Sequence, residues 1–193
     1  MLDKLLALLR LTLADPARAA RALLSKTPPA GGAIEFAALV VLLGTIFSVV
    51  TAPLFGDPVI GLVAGLIRNP VMFAIVDLMT LLMTAIVIHV VGNMFGGRGR
   101  FEQAVFLVAW LQVPMLVFQA GLAVLVLVSP VLADMGTILA NFYVVWLLAN
   151  FIAVLHGFAS VWKVIAGILL TGFALAFALG LLLAFLGIAG QSV

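Results

Sequence analysis

The chain has 193 residues, of which 66% are hydrophobic and 8% charged, whereas a soluble domain is about half apolar and a quarter charged. The apolar residues come in blocks of about twenty or more, the length of a membrane-crossing helix, without the alternation of a membrane-barrel strand. This composition excludes a separate soluble domain, the lack of cysteine excludes disulfides and thiolate chemistry, and a formal net charge of only +2 gives no indication of nucleic-acid binding.

Residues 1–26 predict a cytoplasmic juxtamembrane segment of two short amphipathic helices. Arg10 interrupts the apolar run LLALLRLTL, and the basic residues follow that run, which is the reverse of a signal peptide. The second helix is predicted to start at Asp15-Pro16 and to carry Arg18 and Arg21 toward anionic headgroups. This segment serves either as a membrane anchor or as a docking site for a partner, and residues 27–193 form the membrane domain.

Five segments are long enough to cross a membrane, which predicts an all-α membrane protein. They run from near Phe36 to Pro53, from Asn69 to Phe95, and over residues 102–128, 137–156 and 163–187. Asn69 is placed to cap the second span, and Pro70 suits its first turn. The apolar segment 57–70 is too short to cross, so we expect an interfacial or re-entrant turn of helix there.

The basic residues predict the orientation of these spans. Eight of them fall on one side of a five-span chain: Lys4, Arg10, Arg18, Arg21, Lys26, Arg98, Arg100 and Lys163. Only Arg68 falls on the other side. The positive-inside rule therefore places the N-terminus in the cytoplasm and the C-terminus outside.

The stretch GGRGRFEQ, which begins at residue 96, lacks the Lys-Ser/Thr pair and the preceding strand of a phosphate-binding loop. It is better interpreted as a reversal between two helices, in which Gly96, Gly97 and Gly99 permit the sharp turn. Arg98 and Arg100 hold the loop in the cytoplasm. Glu102 then meets the positive end of the third span. Pro114 lies about 18 Å further along and predicts a kink, so glycines and proline together form a hinge.

Three features resemble the Yip family of membrane proteins, named for interaction with Rab-type GTPases. One is the Gly-Gly turn at 96–97 followed by FEQAVFLVAWLQVP, with its proline in the third span. Another is WLLANFIAVLHGFASVWKVIAGILL, where one span ends at His156-Gly157 and the next begins around Lys163. The third is a cytoplasmic N-terminal segment before five spans.

This resemblance covers roughly residues 20–188, and the short N-terminal segment looks like the bacterial branch of the family. It implies the five-span fold, a location in the bacterial inner membrane, and a membrane-organising or trafficking-like role. It implies no defined enzymatic activity and no cofactor.

Ionisable groups within spans are candidates for function, and Asp77 is the clearest of them. It lies about 10 Å into the second span from the outer side, and Thr80 and Thr84 follow it at helical spacing. This face either lines a proton or cation path, or bonds to a neighbouring helix through a protonated or hydrogen-bonded Asp77. Gln112 and Gln119 share one face of the third span and are predicted to bond to another helix.

A second group of polar residues is predicted near the cytoplasmic ends of the spans. His89 and Asn93 form an i,i+4 pair, turned about 120 to 160° around the helix from Asp77. His156 ends the fourth span, where the helix C-terminus favours a protonated imidazole. With Glu102 and Lys163 these residues lie near one level, beneath the 96–100 loop. No metal is expected, because the chain has neither His-x-x-x-His nor Glu-x-x-His spacing.

Two functions fit this sequence, and an enzyme is not expected. The first is a non-enzymatic integral membrane protein that binds a membrane or cytoplasmic protein partner or organises the bilayer. The alternative is a small transporter or channel that uses Asp77. An enzyme needs paired catalytic groups, and Asp77 and Glu102 are predicted toward opposite sides of the membrane. Gly172, Ala176 and Gly180 have small-xxx-small spacing, which suits packing within the chain or a homo-oligomer.

Overall fold

The computed structural model of the chain describes residues 2–54 and 69–185. Within these ranges the protein is all-α. Its seven helices are α1 (Leu2–Ala14), α2 (Pro16–Leu24), α3 (Ala30–Thr51), α4 (Pro70–Met94), α5 (Phe101–Val128), α6 (Pro130–His156) and α7 (Val161–Phe185), and a 3₁₀ turn at Ala52–Leu54 follows α3. The interfacial or re-entrant turn predicted for residues 57–70 lies outside the described residues except for its last two positions.

Five of these helices, α3 to α7, are long and apolar enough to cross a membrane by length and composition. This confirms the prediction of an all-α protein with five candidate spans. Most side chains on the outer surface of these helices are large, apolar and exposed, as expected of a surface that faces lipid.

The helices α2 and α4 begin at the residues that the sequence predicts. The Asp15 side chain accepts the Arg18 backbone N–H at 2.9 Å, and Pro16 is the first residue of α2. The Asn69 side chain accepts the Met72 N–H at 3.1 Å in the same way at the start of α4. These short polar side chains each satisfy a free N–H group of the first helical turn.

Two other helices begin earlier than predicted. α3 starts at Ala30 rather than near Phe36, since its first turn follows Pro29 and continues through a Gly-Gly pair. α6 starts at Pro130 rather than near residue 137, because Ser129 caps it and Pro130 fits its first turn. Both predicted starts were too late: α3 has no side-chain cap before its first turn that could indicate its start, whereas the Ser129-Pro130 signal of α6 was overlooked.

α5 is the central helix of the bundle. It packs against α3, α4 and α6, and also touches α1 and α2. It runs as one helix through Pro114, whose side chain is fully buried. α7 packs mainly against α6, and its residues from 172 to 182 are exposed. The interior is best packed near the end where α4 meets α5 and α6 meets α7, here called the loop end.

The N-terminal helices are packed on the bundle. α2 buries Pro16, Ala19, Ala20 and Leu23 against α6 and α5. These four residues are its apolar face, so this face covers protein. Because Arg10, Arg18 and Arg21 are exposed, the basic residues of both helices point away from it.

Two hydrogen bonds fix the junction of α1 and α2. The Trp110 indole N–H donates to the Thr12 hydroxyl at 3.0 Å, and the Tyr143 hydroxyl donates to the Leu13 carbonyl. Thr12 in turn donates to the Leu8 carbonyl at 2.8 Å. The junction is therefore attached to both α5 and α6 through polar groups that are otherwise costly to bury.

Candidate functional site

The loop that follows α4 is held in one conformation by its own backbone. Gly96 has a φ of +84°, the left-handed region that glycine adopts without strain. The Gly97 N–H donates to the Gly92 carbonyl at 2.9 Å, and the Gly96 N–H to the Asn93 carbonyl at 3.0 Å. This pair of bonds is a Schellman motif, which closes the helix end and turns the chain.

The end of α6 is built in the same manner and faces this loop. Gly157 has a φ of +74°, and the Phe158 N–H donates to the Ala153 carbonyl at 2.8 Å. The last side chain of the helix, His156, is only 4% exposed and lies beneath the loop. Both helix ends therefore stop at a left-handed glycine, which brings the α4–α5 loop onto the imidazole.

Three glycines form a close-fitting cradle around His156. A Cβ atom on Gly99 would lie 2.9 Å from the imidazole Cε1, and Cβ atoms on Gly92 and Gly97 would lie closer still to the ring. Carbon atoms pack at about 3.5–4.0 Å, so no other residue fits at these positions without displacing the histidine. The glycines thus serve close approach as well as the turn.

Two histidines hold Gly99 from opposite sides. The Gly99 N–H donates to Nδ1 of His156 at 3.3 Å, and Nε2 of that ring donates to the Ile88 carbonyl at 3.1 Å. Nδ1 of His89 donates to the Gly99 carbonyl at 3.0 Å, and the Asn93 amide lies 3.4 Å from the other nitrogen of this ring. Because its Nδ1 accepts an N–H, His156 is a neutral imidazole, and the protonated form expected from the helix end is wrong.

The charged residues of the predicted cytoplasmic cluster are arranged around this core. Glu102 pairs with Arg100 at 3.1 Å, at the start of α5. Arg98 is exposed on the loop. Lys163 is exposed in the first turn of α7 and is not within ion-pair distance of any described carboxylate. The structure thus joins the two histidines and Asn93 through Gly99, places the Arg100–Glu102 pair beside them, and leaves Lys163 outside.

A second polar site lies deeper, between α3, α4 and α5. Asp77, Gln112 and Gln119 line a cavity of about 140 Å³ together with Ser48 and Gly44. A cavity of this size has room for several waters. Asp77 of the second span and the two glutamines of the third span therefore line the same cavity.

Thr80 and Thr84 do not belong to this cavity. The Thr80 hydroxyl donates to the Val76 carbonyl and the Thr84 hydroxyl to the Thr80 carbonyl, each at 2.8 Å. Both hydroxyls are thus satisfied within their own helix, and Thr80 is exposed at the surface of the bundle. The spacing placed them near Asp77 around the helix but gave no information on what α4 packs against.

An apolar layer separates the cavity from the cradle around His156. It surrounds a gap of about 10 Å³, smaller than a site for a water with polar partners. Its lining residues are Ile88, Ala104, Leu107, Val108, Leu111, Leu148, Phe151, Ile152 and Leu155. No polar group of these side chains is available to carry an ion or proton between the two sites.

Sequence reasoning missed some residues of these sites. The spacing of Gly92 resembles that of any glycine in an apolar span, and its contact with His156 depends on how α4 meets α6. The Thr12–Trp110 bond joins residues far apart in the chain, and no local pattern indicates it. Among the described residues, no three side chains of His, Cys, Asp or Glu are grouped as a metal site.

Five helices that are long and apolar enough to cross a membrane define a polytopic integral membrane protein. The Yip1 domain matches residues 10–183, which include α2 to α6 and most of α7. The chain therefore belongs to the Yip1 domain family. No curated protein and no solved structure matches it.

Proposed function

We propose that this Yip-type protein is a non-enzymatic membrane protein that binds a partner, or organises the membrane, through the loop end. In this proposal the protein lies in the plasma membrane of a bacterium, which is the inner membrane in a bacterium that has two membranes. Its N-terminus is in the cytoplasm and its C-terminus is outside. The loop end and the helices α1 and α2 then face the cytoplasm, and a protein of that compartment or membrane is the partner.

The observation that carries this proposal is a set of exposed arginines on ordered parts of the chain, the α4–α5 loop and the packed N-terminal helices. Arg98 is exposed on a loop whose backbone is fixed by two histidines, and Arg10, Arg18 and Arg21 are exposed on helices attached to α5 and α6. A surface that is already ordered loses little conformational entropy when a partner binds. Its positive charge favours a partner with an acidic surface.

The titratable groups at the loop end have structural roles that support a non-enzymatic function. Both nitrogens of His156 and one of His89 hold loop or helix backbone, and Glu102 is paired with Arg100. A general base needs a free lone pair within reach of a substrate. A substrate would have to displace the loop to reach these rings.

The cavity around Asp77 favours the alternative, a small transporter or channel. A carboxylate and two amides around a space for several waters are the groups expected of an ion site within a membrane. The apolar layer between the cavity and the loop end opposes conduction, since an ion would have to cross it without polar ligands. Transport is therefore less well supported than partner binding or membrane organisation.

The proposal can be tested with the full chain in lipid nanodiscs and an extract of cytoplasm and membranes. The variant Arg10→Gln/Arg18→Gln/Arg21→Gln changes exposed groups only, whereas deletion of residues 1–26 would uncover the buried face of the bundle. We expect a protein recovered with the wild type to be reduced about fivefold or more with the triple variant, because exposed charge pairs each contribute up to about 1 kcal/mol.

The matched control is Asp134→Asn, which changes an exposed charge near the start of α6, at the opposite end of the bundle from the loop. It should recover the partner as the wild type does. Two results would contradict a basic surface that binds a partner. In one, the wild type, the triple variant and Asp134→Asn recover the same proteins. In the other, each of the three recovers no protein besides itself.

A further inference from the structure

We propose that the cavity between α3, α4 and α5 is a binding site for a small monovalent cation, neutralised by the Asp77 carboxylate. This inference is independent of the partner-binding role, because the cavity lies on the other side of the apolar layer from the loop end.

The side chains that line the cavity supply oxygen ligands from three helices. Asp77 on α4 offers a carboxylate, Gln112 and Gln119 on α5 offer two amide carbonyls, and Ser48 on α3 offers a hydroxyl. Carboxylate, carbonyl, hydroxyl and water oxygens are hard ligands that suit hard cations. The described lining residues include no imidazole, and the Met115 thioether among them is a soft ligand that does not suit such cations.

The charge of the site selects a monovalent ion. Asp77 is the one ionisable group among the described residues that line the cavity. An uncompensated charge is costly within a membrane, so an ionised Asp77 requires a counter-charge nearby. A monovalent cation brings the site to neutrality, whereas a divalent cation would leave a net positive charge.

The size of the cavity fits a partly hydrated ion. Its volume of about 140 Å³ exceeds that of one bare ion, and each additional water has a share of about 30 Å³. The four side chains and a few waters complete a coordination shell of oxygens. Gly44 also lines this space, and a Cβ atom there would lie 4.0 Å from Cδ2 of Leu116.

The nine described side chains of the apolar layer offer no polar ligand to an ion, so we expect the ion to be held in the cavity. A bound cation would hold α3 and α4 against α5, the central helix of the bundle. We therefore expect occupancy to stabilise the bundle, since a ligand that binds only the folded state raises its stability.

The direct test is binding of radioactive Na⁺ to the purified full chain in mild detergent, with Asp77→Asn and Asp134→Asn measured beside it. We expect saturable binding of Na⁺ to the wild type and to Asp134→Asn. Asp77→Asn should weaken it by about 100-fold or more, since it removes the carboxylate that supplies the counter-charge among the described lining residues.

Thermal unfolding in NaCl, KCl and choline chloride at equal ionic strength gives a second measurement. The wild type should be more stable in NaCl or KCl than in choline chloride. If Asp77→Asn does not fold, Gln119→Leu takes its place as the test variant and should reduce that difference in stability. The proposal is overturned if the wild type binds no Na⁺ and all three salts give the same stability, which would leave a cavity filled with water. Equal loss of binding in Asp134→Asn would also overturn it.

Discussion

The three glycines around His156 show how single residues determine the loop end. Gly92 lies within α4, where alanine is the better helix former by about 1 kcal/mol. A Cβ atom at this position would overlap the imidazole ring of His156. Helix propensity therefore favours alanine at position 92, whereas the contact with His156 requires glycine. The residue present is the one that the contact requires.

Gly92→Ala is expected to destabilise the protein despite the gain in helix propensity. Overpacking at a buried contact costs about 1–3 kcal/mol, and displacement of His156 would also break its bonds to Gly99 and Ile88. The apparent melting temperature of the full chain in mild detergent should fall by several degrees relative to the wild type.

Gly121→Ala provides the control for this substitution. Gly121 lies within α5, and a Cβ atom there would have nothing within 4 Å. The substitution should leave the melting temperature unchanged or raise it slightly, through helix propensity alone. If both variants melt at the same temperature, the glycine cradle is not a constraint on the fold.

At the scale of helices, the attachment of α1 and α2 has the clearest consequences. α2 covers the bundle with small residues, two of which are completely buried alanines. The junction with α1 is fixed by the Trp110 indole, which is 4% exposed and donates to Thr12. The N-terminal segment is therefore a structural part of the membrane domain as well as a basic surface.

Thr12→Val is expected to loosen this attachment while preserving side-chain size. It leaves the buried indole N–H of Trp110 without its partner, which costs about 1–3 kcal/mol. Trypsin should then cleave at Arg10 and Arg18 faster than in the wild type, and tryptophan fluorescence should report a lower melting temperature.

Thr80→Val makes the same chemical change at an exposed position where the hydroxyl bonds only to its own helix. It should leave both the cleavage rate and the melting temperature near those of the wild type. Cleavage at equal rates in the two variants would show that the Thr12–Trp110 bond does not hold the N-terminal helices in place.

At the scale of the whole molecule, composition and apolar length predicted the five candidate spans and the all-α class correctly. Caps predicted the starts of α2 and α4, because Asp15-Pro16 and Asn69-Pro70 act on the adjacent residues. The start of α6 was missed although Ser129-Pro130 is the same signal, since the polar Asp134 obscured the apolar block.

The sites themselves were only partly predictable from the sequence. Asp77, Gln112 and Gln119 could be singled out because polar groups within spans are rare, but their meeting in one cavity depends on the rotation of α4 against α5. The neutral form of His156 depends on a loop N–H contributed by a distant part of the chain. Such contacts arise from packing, which no local spacing records.

The proposed role of the loop end is that of a cytoplasmic surface that binds a protein. It is tested most directly by photo-crosslinking in intact cells, with a photoreactive amino acid placed in turn at Arg18, Arg98 and Asp134. All three positions are exposed, and the first two belong to the proposed surface. We expect Arg18 and Arg98 to give adducts to the same cytoplasmic or membrane protein and Asp134 to give none. Adducts to that protein from Asp134 alone, or to lipid only from all three positions, would contradict it.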